Sequence, residues 1–563
     1  MRCPPVGNRH LFSLATTFLT RLSYRSRTMA YSHGNTNEDA LQRENISDSS
    51  DQSLSQGPDG KEEGAVYREN VVESKETDLA SAHDGFQKEV LETADPHFTV
   101  SKEREKQLIR KLDIRILPMI MWMYLMSFMD RVIIGAARLY GVEEDLNLGP
   151  NEFQLAVSIL FVTYCIFETP SNLIIKRLNP AYYLCGLTFC WGIIATFTAF
   201  VQNLGGLLAC RLLLGIFEAG FFPGVIIYLT IFYNKRELAL RTGYFFSAAA
   251  ISSAVGGLVA YGIGEGMDGT AGWRAWRWIL LINGAATAVT APFVPFILPG
   301  SVEKAKFLTD QDRKDLKWLR TSEVGQTASG QDLQKKDVMD GVKDWKTYAY
   351  GLAQFCSHLM LYSFSVFLPT VINRLGEFDR GESNALTVPV FALGAIVYII
   401  SCWASDRLQV RGPFTMGAFF VAIVGYAMLI SDGDVAVKFA GTFIVACGCY
   451  TSVGLGFAWL ASNNPRYGKR AYASGMQITI GNSAGVAAPF LFADSTEPRF
   501  IPGYSASIAT LAVGMCIHAA MSYWFHKQNK NRAAGKEDWK MEGKTPEEVA
   551  DMGDLNPMYR YTI

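Results

Sequence analysis

The sequence predicts an all-α membrane protein, with twelve transmembrane helices in two pseudo-repeated bundles of six. Three observations carry this expectation. Of 563 residues 49% are hydrophobic, 12% aromatic and only 19% charged, and the polar ones crowd into the first hundred or so. Beyond them, apolar runs near the roughly 20 residues that a bilayer crossing needs follow one another almost without interruption. A hydrophilic stretch from Pro299 to Lys346 then divides those runs six and six.

In chain order, residues 1–28 contain five arginines, no acids and a short apolar patch. This composition resembles that of a transit peptide, but Met29, directly before an ordinary polar tail, favours the reading of a misassigned start. Residues 29–100 are rich in Ser, Glu, Asp, Gly and Asn without apolar periodicity, so the tail 1–111 is expected to be disordered. A basic segment, Lys102 to Arg115, leads into the apolar runs. The first six spans are 116–138, 153–175, 181–201, 205–232, 242–264 and 278–298. The second six are 347–373, 384–404, 414–431, 438–461, 471–492 and 504–525. The expected divisions are a bundle over 112–298, a central loop over 299–346, a bundle over 347–525 and a tail over 526–563.

Lys and Arg in short loops orient such a chain. With a cytosolic N-terminus the inner short loops carry ten, among them Lys176, Arg177, Lys235 and Arg411, against seven outside. The basic flank before the first span, the central segment and the C-terminal tail add to the inner side, so both termini are expected in the cytosol. Asn45-Ile46-Ser47 is then a silent glycosylation sequon. Equal halves joined by a cytosolic loop suggest two repeats about a central path. The loops after spans 2 and 8, with Lys176-Arg177 and Asp406-Arg407, echo one another.

Net charge is −1, which gives no reason to expect nucleic acid as a partner. Nine of the ten cysteines lie in apolar runs without metal-ligand spacing and read as small buried hydrophobes. No phosphate-binding loop, nucleophile elbow or metal cluster points to an enzyme, and no cofactor is expected. What the apolar runs do contain is charge. Arg211 and Glu218 stand inside span 4, where each costs about 2.5–3.5 kcal/mol on insertion scales. Seven residues apart, they share a helix face at a rise of about 10 Å. They read as the ends of a small-anion site or as a structural pair satisfied by neighbours. Asp130 and Arg131 close span 1, and adjacent helical residues diverge by about 100°, so one can line a path while the other meets a neighbouring helix.

Several ordered motifs resemble the major facilitator superfamily, and within it the anion:cation symporter family in its fungal allantoate, nicotinate and vitamin permease branch. They are Tyr164-Cys-Ile-Phe-Glu168-Thr-Pro170-Ser171-Asn172, Arg211-Leu-Leu-Leu-Gly215-Ile-Phe-Glu218, Trp276-Arg277-Trp278, Asp344-Trp345-Lys346, and Gly553-Asp554-Leu-Asn-Pro557-Met-Tyr559-Arg560-Tyr561. The resemblance runs from about Leu112 to the C-terminus. Two positions depart from it: Ile133 stands where relatives often have Asn, and Asn283 where they often have Glu.

The resemblance implies the major facilitator fold and a multi-pass transporter, expected as a monomer in the plasma-membrane bilayer. Its cargo would be a small organic anion such as nicotinate, allantoate or pantothenate, moved with protons. A nutrient sensor on the same fold, or facilitative or exchange transport, is the alternative. Arg131 and Arg211 would attract a carboxylate, as planar, permanently charged forks. Asp130 and Glu218 would be the protonatable pair. Glu168 and Asn172, one turn apart around Pro170, read either as a proton relay and inner gate or as a packing motif. Lys176, with Asp406, Arg407 and Arg411 at the inner end of span 8, would form the gate. His358 reads as a core histidine or as a path-lining group beside Tyr362. Gln477 and Asn482 could hydrogen-bond a substrate, or could bond across helices. His518 reads as core, and Trp273 to Trp278 as an interfacial anchor.

Overall fold

The structure is a computed structural model that describes residues 100–175, 178–233, 235–322, 335–376, 378–497 and 499–563. Lys176 and most of the expected N-terminal tail lie outside the described residues. Helices are the only regular secondary structure among the described residues. The first half contains α1 (Lys102–Arg138), α2 (Glu152–Ile175), α3 (Pro180–Phe197), α4 (Leu204–Phe232), α5 (Lys235–Met267) and α6 (Ala275–Thr290). The second contains α7 (Trp345–Leu375), α8 (Arg380–Leu408), α9 (Gly412–Ile430), α10 (Val435–Ser462), α11 (Tyr467–Ala487) and α12 (Ile501–Ala533). Ten helices of the described chain are long and apolar enough to cross a membrane, and α2 and α11 hold the remaining two expected places.

Local sequence explains the boundaries. Ser101 caps α1 by accepting from Arg104 N, and Glu103 and Glu105 favour the positive end of its dipole. The helix therefore starts well before the apolar span, and Leu108, Leu112 and Ile116 bury one stripe at four-residue spacing. Asn179 caps α3, with Pro180 in its first turn, and Asn203 caps α4. The α4 path breaks at Ala219-Gly220 into Leu204–Glu218 and Phe221–Phe232. A Cβ on Gly220 would fall 1.6 Å from Ser171 Oγ, so the break sits where α2 presses closest. Asp379 and Glu382 form a capping box on α8, which ends at Gln409 with φ 54°.

The two halves meet through the helix pairs α1 with α7, α2 with α11, α5 with α8 and α5 with α10. Helix direction alternates, so the molecule has a tail end, holding the start of α1, the central segment and the C-terminus, and an opposite loop end. Arg104 and Lys111 of α1 reach Asp312 of the central helix Asp310–Ser322 at 2.6 Å each. Burial pushes the Asp312 carboxyl up, but bonds from Lys111 and Thr309 outweigh it and hold it at about 2.

The halves are closed on one another at the loop end. Ser158 of α2 donates to Val486 O at 2.7 Å, and Gln154 donates to Phe492 O at 3.2 Å. Glu497 takes Arg374 at 2.7 Å and lies 3.9 Å from Arg138 of the first half. A Cβ on Gly135 would stand 1.8 Å from Val366 O, so α1 and α7 touch backbone to backbone.

One expectation needs revision. Trp276 is fully buried and donates to Asp145 at 3.0 Å, while Arg277 reaches the same carboxylate at 2.9 Å. These residues pin α6 to the short helix Val142–Asp145 rather than anchoring it in an interface. In the segment after α12, Asp554 and Tyr561 are buried.

Candidate functional site

Asp130 and Arg131 diverge by about 100° on α1 and meet different neighbours, which separates two sites. Arg131 turns toward the centre, where the halves border a narrow cavity with about 20 Å³ free to the centre of a water molecule. Its Nε donates to Glu218 Oε1 at 2.6 Å, and its guanidinium lies 4.6 Å from the Tyr164 ring centroid. Ser127, one turn before Arg131, donates to the same Glu218 oxygen. Two polar atoms are left over: Arg131 Nη2 and Glu218 Oε2 are buried, without hydrogen-bond partners among the described residues.

The rest of the lining is largely aromatic. Tyr124, Phe128, Phe222 and Phe246 come from the first half, and His358, Tyr362 and Phe457 from the second. Phe457 meets Phe222 at 5.8 Å and Phe246 at 6.0 Å, closing the tail-end side across the two halves. Phe161 of α2 and Tyr362 of α7 pair at 4.4 Å between ring centroids. Tyr362 donates to Asn482 Oδ1 at 2.7 Å, so the amide is oriented before any ligand arrives.

Asp130 faces away, into the first half. Asn283 of α6 donates to its Oδ1 at 2.5 Å and Thr287 to its Oδ2 at 3.0 Å. The asparagine that departs from the resembled pattern thus bonds directly to the acid of α1. A second, smaller cavity is lined by Asp130, Ile133, Arg211, Leu214 and Leu280, among others. Arg211 lies a rise of about 10 Å along α4 from Glu218, and its Nη1 reaches Asp130 O at 3.4 Å. Its Nε has no partner among the described residues. The two arginines expected to act together are therefore placed apart, Arg131 at the central cavity and Arg211 beside Asp130.

Glu168 is buried on α2 and accepts from Thr479 of α11 at 3.3 Å, so it belongs to the contact between halves. Asn172 falls within the same helix. His358 lines the central cavity with Nδ1 3.0 Å from Gln354 O. Gln477 lies one layer behind, donating to Gln354 Oε1 and Gly456 O at 3.1 Å each. His518 packs on Trp459 in the core of the second half. At the tail end Asp406 pairs with Arg411 at 2.8 Å, tying α8 to α9, and Arg407 lies over Trp403.

Sequence reasoning did not single out Tyr164, Ser127 or the plug residues Phe222, Phe246 and Phe457. Spacing could have found the first two. Ser127 is four residues before Arg131 on one helical face, and Tyr164 opens the motif that contains Glu168. The plug residues are ordinary apolar helix residues, and only the pairing of α4, α5 and α10 distinguishes them.

The arrangement leaves one edge of the Arg131 guanidinium without a partner among the described residues, in a largely aromatic chamber, with an acid on its other edge. Known proteins agree in class. The Major Facilitator Superfamily profile matches residues 120–489. An uncharacterised transporter of Schizosaccharomyces pombe is 35% identical over 76% of this chain and 85% of its own. The high-affinity nicotinic acid transporter of Saccharomyces cerevisiae is 30% identical over 82% of this chain and 85% of its own. A bacterial homologue of the human lysosomal transporter Spinster, solved inward-facing and occupied, aligns with a TM-score of 0.55 at 14% identity, covering 72% of this chain and 96% of that one. The chain belongs to the major facilitator superfamily, as a multi-pass membrane transporter of a small substrate.

Proposed function

We propose that this protein imports a small organic anion by proton symport with alternating access. The observation that carries the reading is Arg131, which lines the central cavity and whose Nη2 is buried without a partner among the described residues while Nε is held by Glu218. An arginine fork can satisfy two carboxylates at once, so a substrate carboxylate would complete it. Nicotinate is favoured over allantoate or pantothenate because eight aromatic or imidazole rings line the cavity, which suits a flat ring acid. The relative named for nicotinic acid supports the same choice.

Coupling follows from competition. Glu218 pairs with Arg131, and a carboxylate that takes a share of the guanidinium would weaken that pair, so that a proton on Glu218 replaces the lost partner and travels with the anion. Asp130, held by Asn283 and Thr287 beside Arg211, is assigned as the second protonatable group. Glu168, at the contact of α2 and α11, would respond when the halves separate. The moving bodies are residues 112–298 and 347–525, with the tail end cytosolic in the plasma membrane and the chain monomeric.

The test is uptake of labelled nicotinate, allantoate and pantothenate in cells lacking endogenous permeases, at acidic and neutral pH, with and without an uncoupler. Accumulation that is stronger in acid and collapses with the uncoupler is expected. No accumulation at normal surface expression would reject import in favour of a sensor. Accumulation insensitive to pH and uncoupler would keep transport and reject proton coupling.

A further inference from the structure

The last residues of the chain are built into the second half as if they were part of its core. Asp554 is 3% exposed and sits between two lysines, Lys346 at the start of α7 at 2.7 Å and Lys469 at the start of α11 at 2.8 Å. Asp344, the cap of α7, approaches the same lysines at 3.1 and 2.6 Å. Two lysines and two aspartates thus form a buried, charge-balanced square, and Asp554 is the only member supplied by the C-terminal segment. Burial pushes its carboxyl up, but the two lysine charges outweigh this and hold it below its ordinary value.

Further contacts fix the segment around that square. Arg532 of α12 donates to Asp554 O and Tyr559 O at 2.9 Å each. Tyr561 donates to Asp554 O at 2.9 Å and packs on Phe525 of α12. Thr562 exchanges hydrogen bonds with Asn463, which follows α10, donating at 2.8 Å and accepting at 3.0 Å. Ile563 O accepts from Arg411 N, just before α9, at 2.7 Å. The segment touches the tail ends of α7, α9, α10, α11 and α12.

Of these, α7 carries His358 and Tyr362 and α11 carries Asn482, all lining the central cavity. We infer that the C-terminal segment is a strap that positions the cavity-lining helices α7 and α11 from outside the membrane, with Asp554 as its positioning residue. The strap joins five helices of one half and so makes that half's tail end a single body. Removing the Asp554 charge leaves two buried lysines sharing one aspartate, which pushes the starts of α7 and α11 apart. Because the strap is peptide held by side chains and backbone, its own sequence supplied separately is a ligand for the site it leaves.

Hydrogen exchange on the purified full-length protein tests this without any assumption about substrate. Asp554→Asn should speed exchange at residues 345–350 and 467–472 by about tenfold, in line with loss of hydrogen bonds to charged groups, while α1 to α6 stay as in the wild type. Asp554→Glu, which keeps the charge, should stay within about threefold of wild type. Tyr561→Phe, which keeps the packed ring, should give the same pattern at smaller size and serves if Asp554→Asn is poorly folded. A chain ending at 550 should recover protection when a synthetic peptide of residues 551–563 is added. Faster exchange confined to 551–563 itself, equal behaviour of Asp554→Asn and Asp554→Glu, or no peptide response in a folded truncated chain would overturn the strap.

Discussion

Replacing Arg131 by lysine keeps the charge and removes the fork. In the structure Arg131 serves two directions: Nε is 2.6 Å from Glu218, and Nη2 is buried without a partner among the described residues. A lysine carries one ammonium on a flexible stem and cannot hold Glu218 and a substrate carboxylate in fixed geometry together. Keeping the buried Glu218 pair is strongly favoured, since breaking such a pair costs about 3–5 kcal/mol. The substrate bond is therefore the one lost. A hydrogen bond to a charged group is worth about 1.5–3 kcal/mol, which at tenfold per 1.4 kcal/mol is about 10- to 150-fold in apparent affinity. Initial rates of labelled nicotinate uptake against concentration, normalised to surface protein, should show KM rising by that factor with Vmax within about threefold. Arg211→Lys is the control, because Arg211 lies beside Asp130 in the second cavity, and its KM should stay within about threefold of wild type. An unchanged KM in Arg131→Lys, or a larger rise in Arg211→Lys, would refute the assignment of the anion to Arg131.

Other perturbations address coupling, closure and the central segment. Glu218→Gln should lose concentrative uptake but retain exchange of internal for external substrate, since it keeps a partner for Arg131 and removes the titratable group; full pH-driven accumulation would remove Glu218 from coupling. Gly135→Ala places a methyl where Val366 O stands, and overpacking of this kind costs about 1–3 kcal/mol; a lower melting temperature and a slower Vmax are expected, and wild-type values for both would show that α1 and α7 do not close this tightly. Asp312 is held at about 2, below an ordinary carboxylate, so its contribution to docking the central helix on α1 is full above about pH 4 and fades as pH falls toward 2. Asp312→Asn should remove that contribution at neutral pH, seen as faster hydrogen exchange over 310–322, and unaltered exchange would deny it.

The fold was legible because its signals are long. Twelve apolar runs and one hydrophilic interruption survive any single local error, and caps such as Ser101, Asn179 and Asp344 stand in the sequence where the helices begin. The site was legible in part. Intramembrane charge named Asp130, Arg131, Arg211 and Glu218, and the 100° step between neighbours foresaw that Asp130 and Arg131 would part. What spacing along α4 could not reveal is which level the cavity occupies, and that depends on where α4, α5 and α10 bring Phe222, Phe246 and Phe457 together. The buried C-terminal segment was hidden for a different reason. Asp554, Tyr559 and Tyr561 stand in polar sequence without periodicity, and their burial rests on Lys346, Lys469 and Arg532 from three separate helices.

The central claim is that Arg131 makes the cavity a carboxylate site. Competition against labelled nicotinate uptake by nicotinate and by nicotinamide separates charge from shape, because the two share a ring and differ in the group that faces the guanidinium. The account predicts that unlabelled nicotinate competes at least about tenfold better, the lower bound for a hydrogen bond to a charged group, and that Arg131→Lys narrows the gap. Equal competition by the neutral amide, with the gap unaffected by Arg131→Lys, would contradict it.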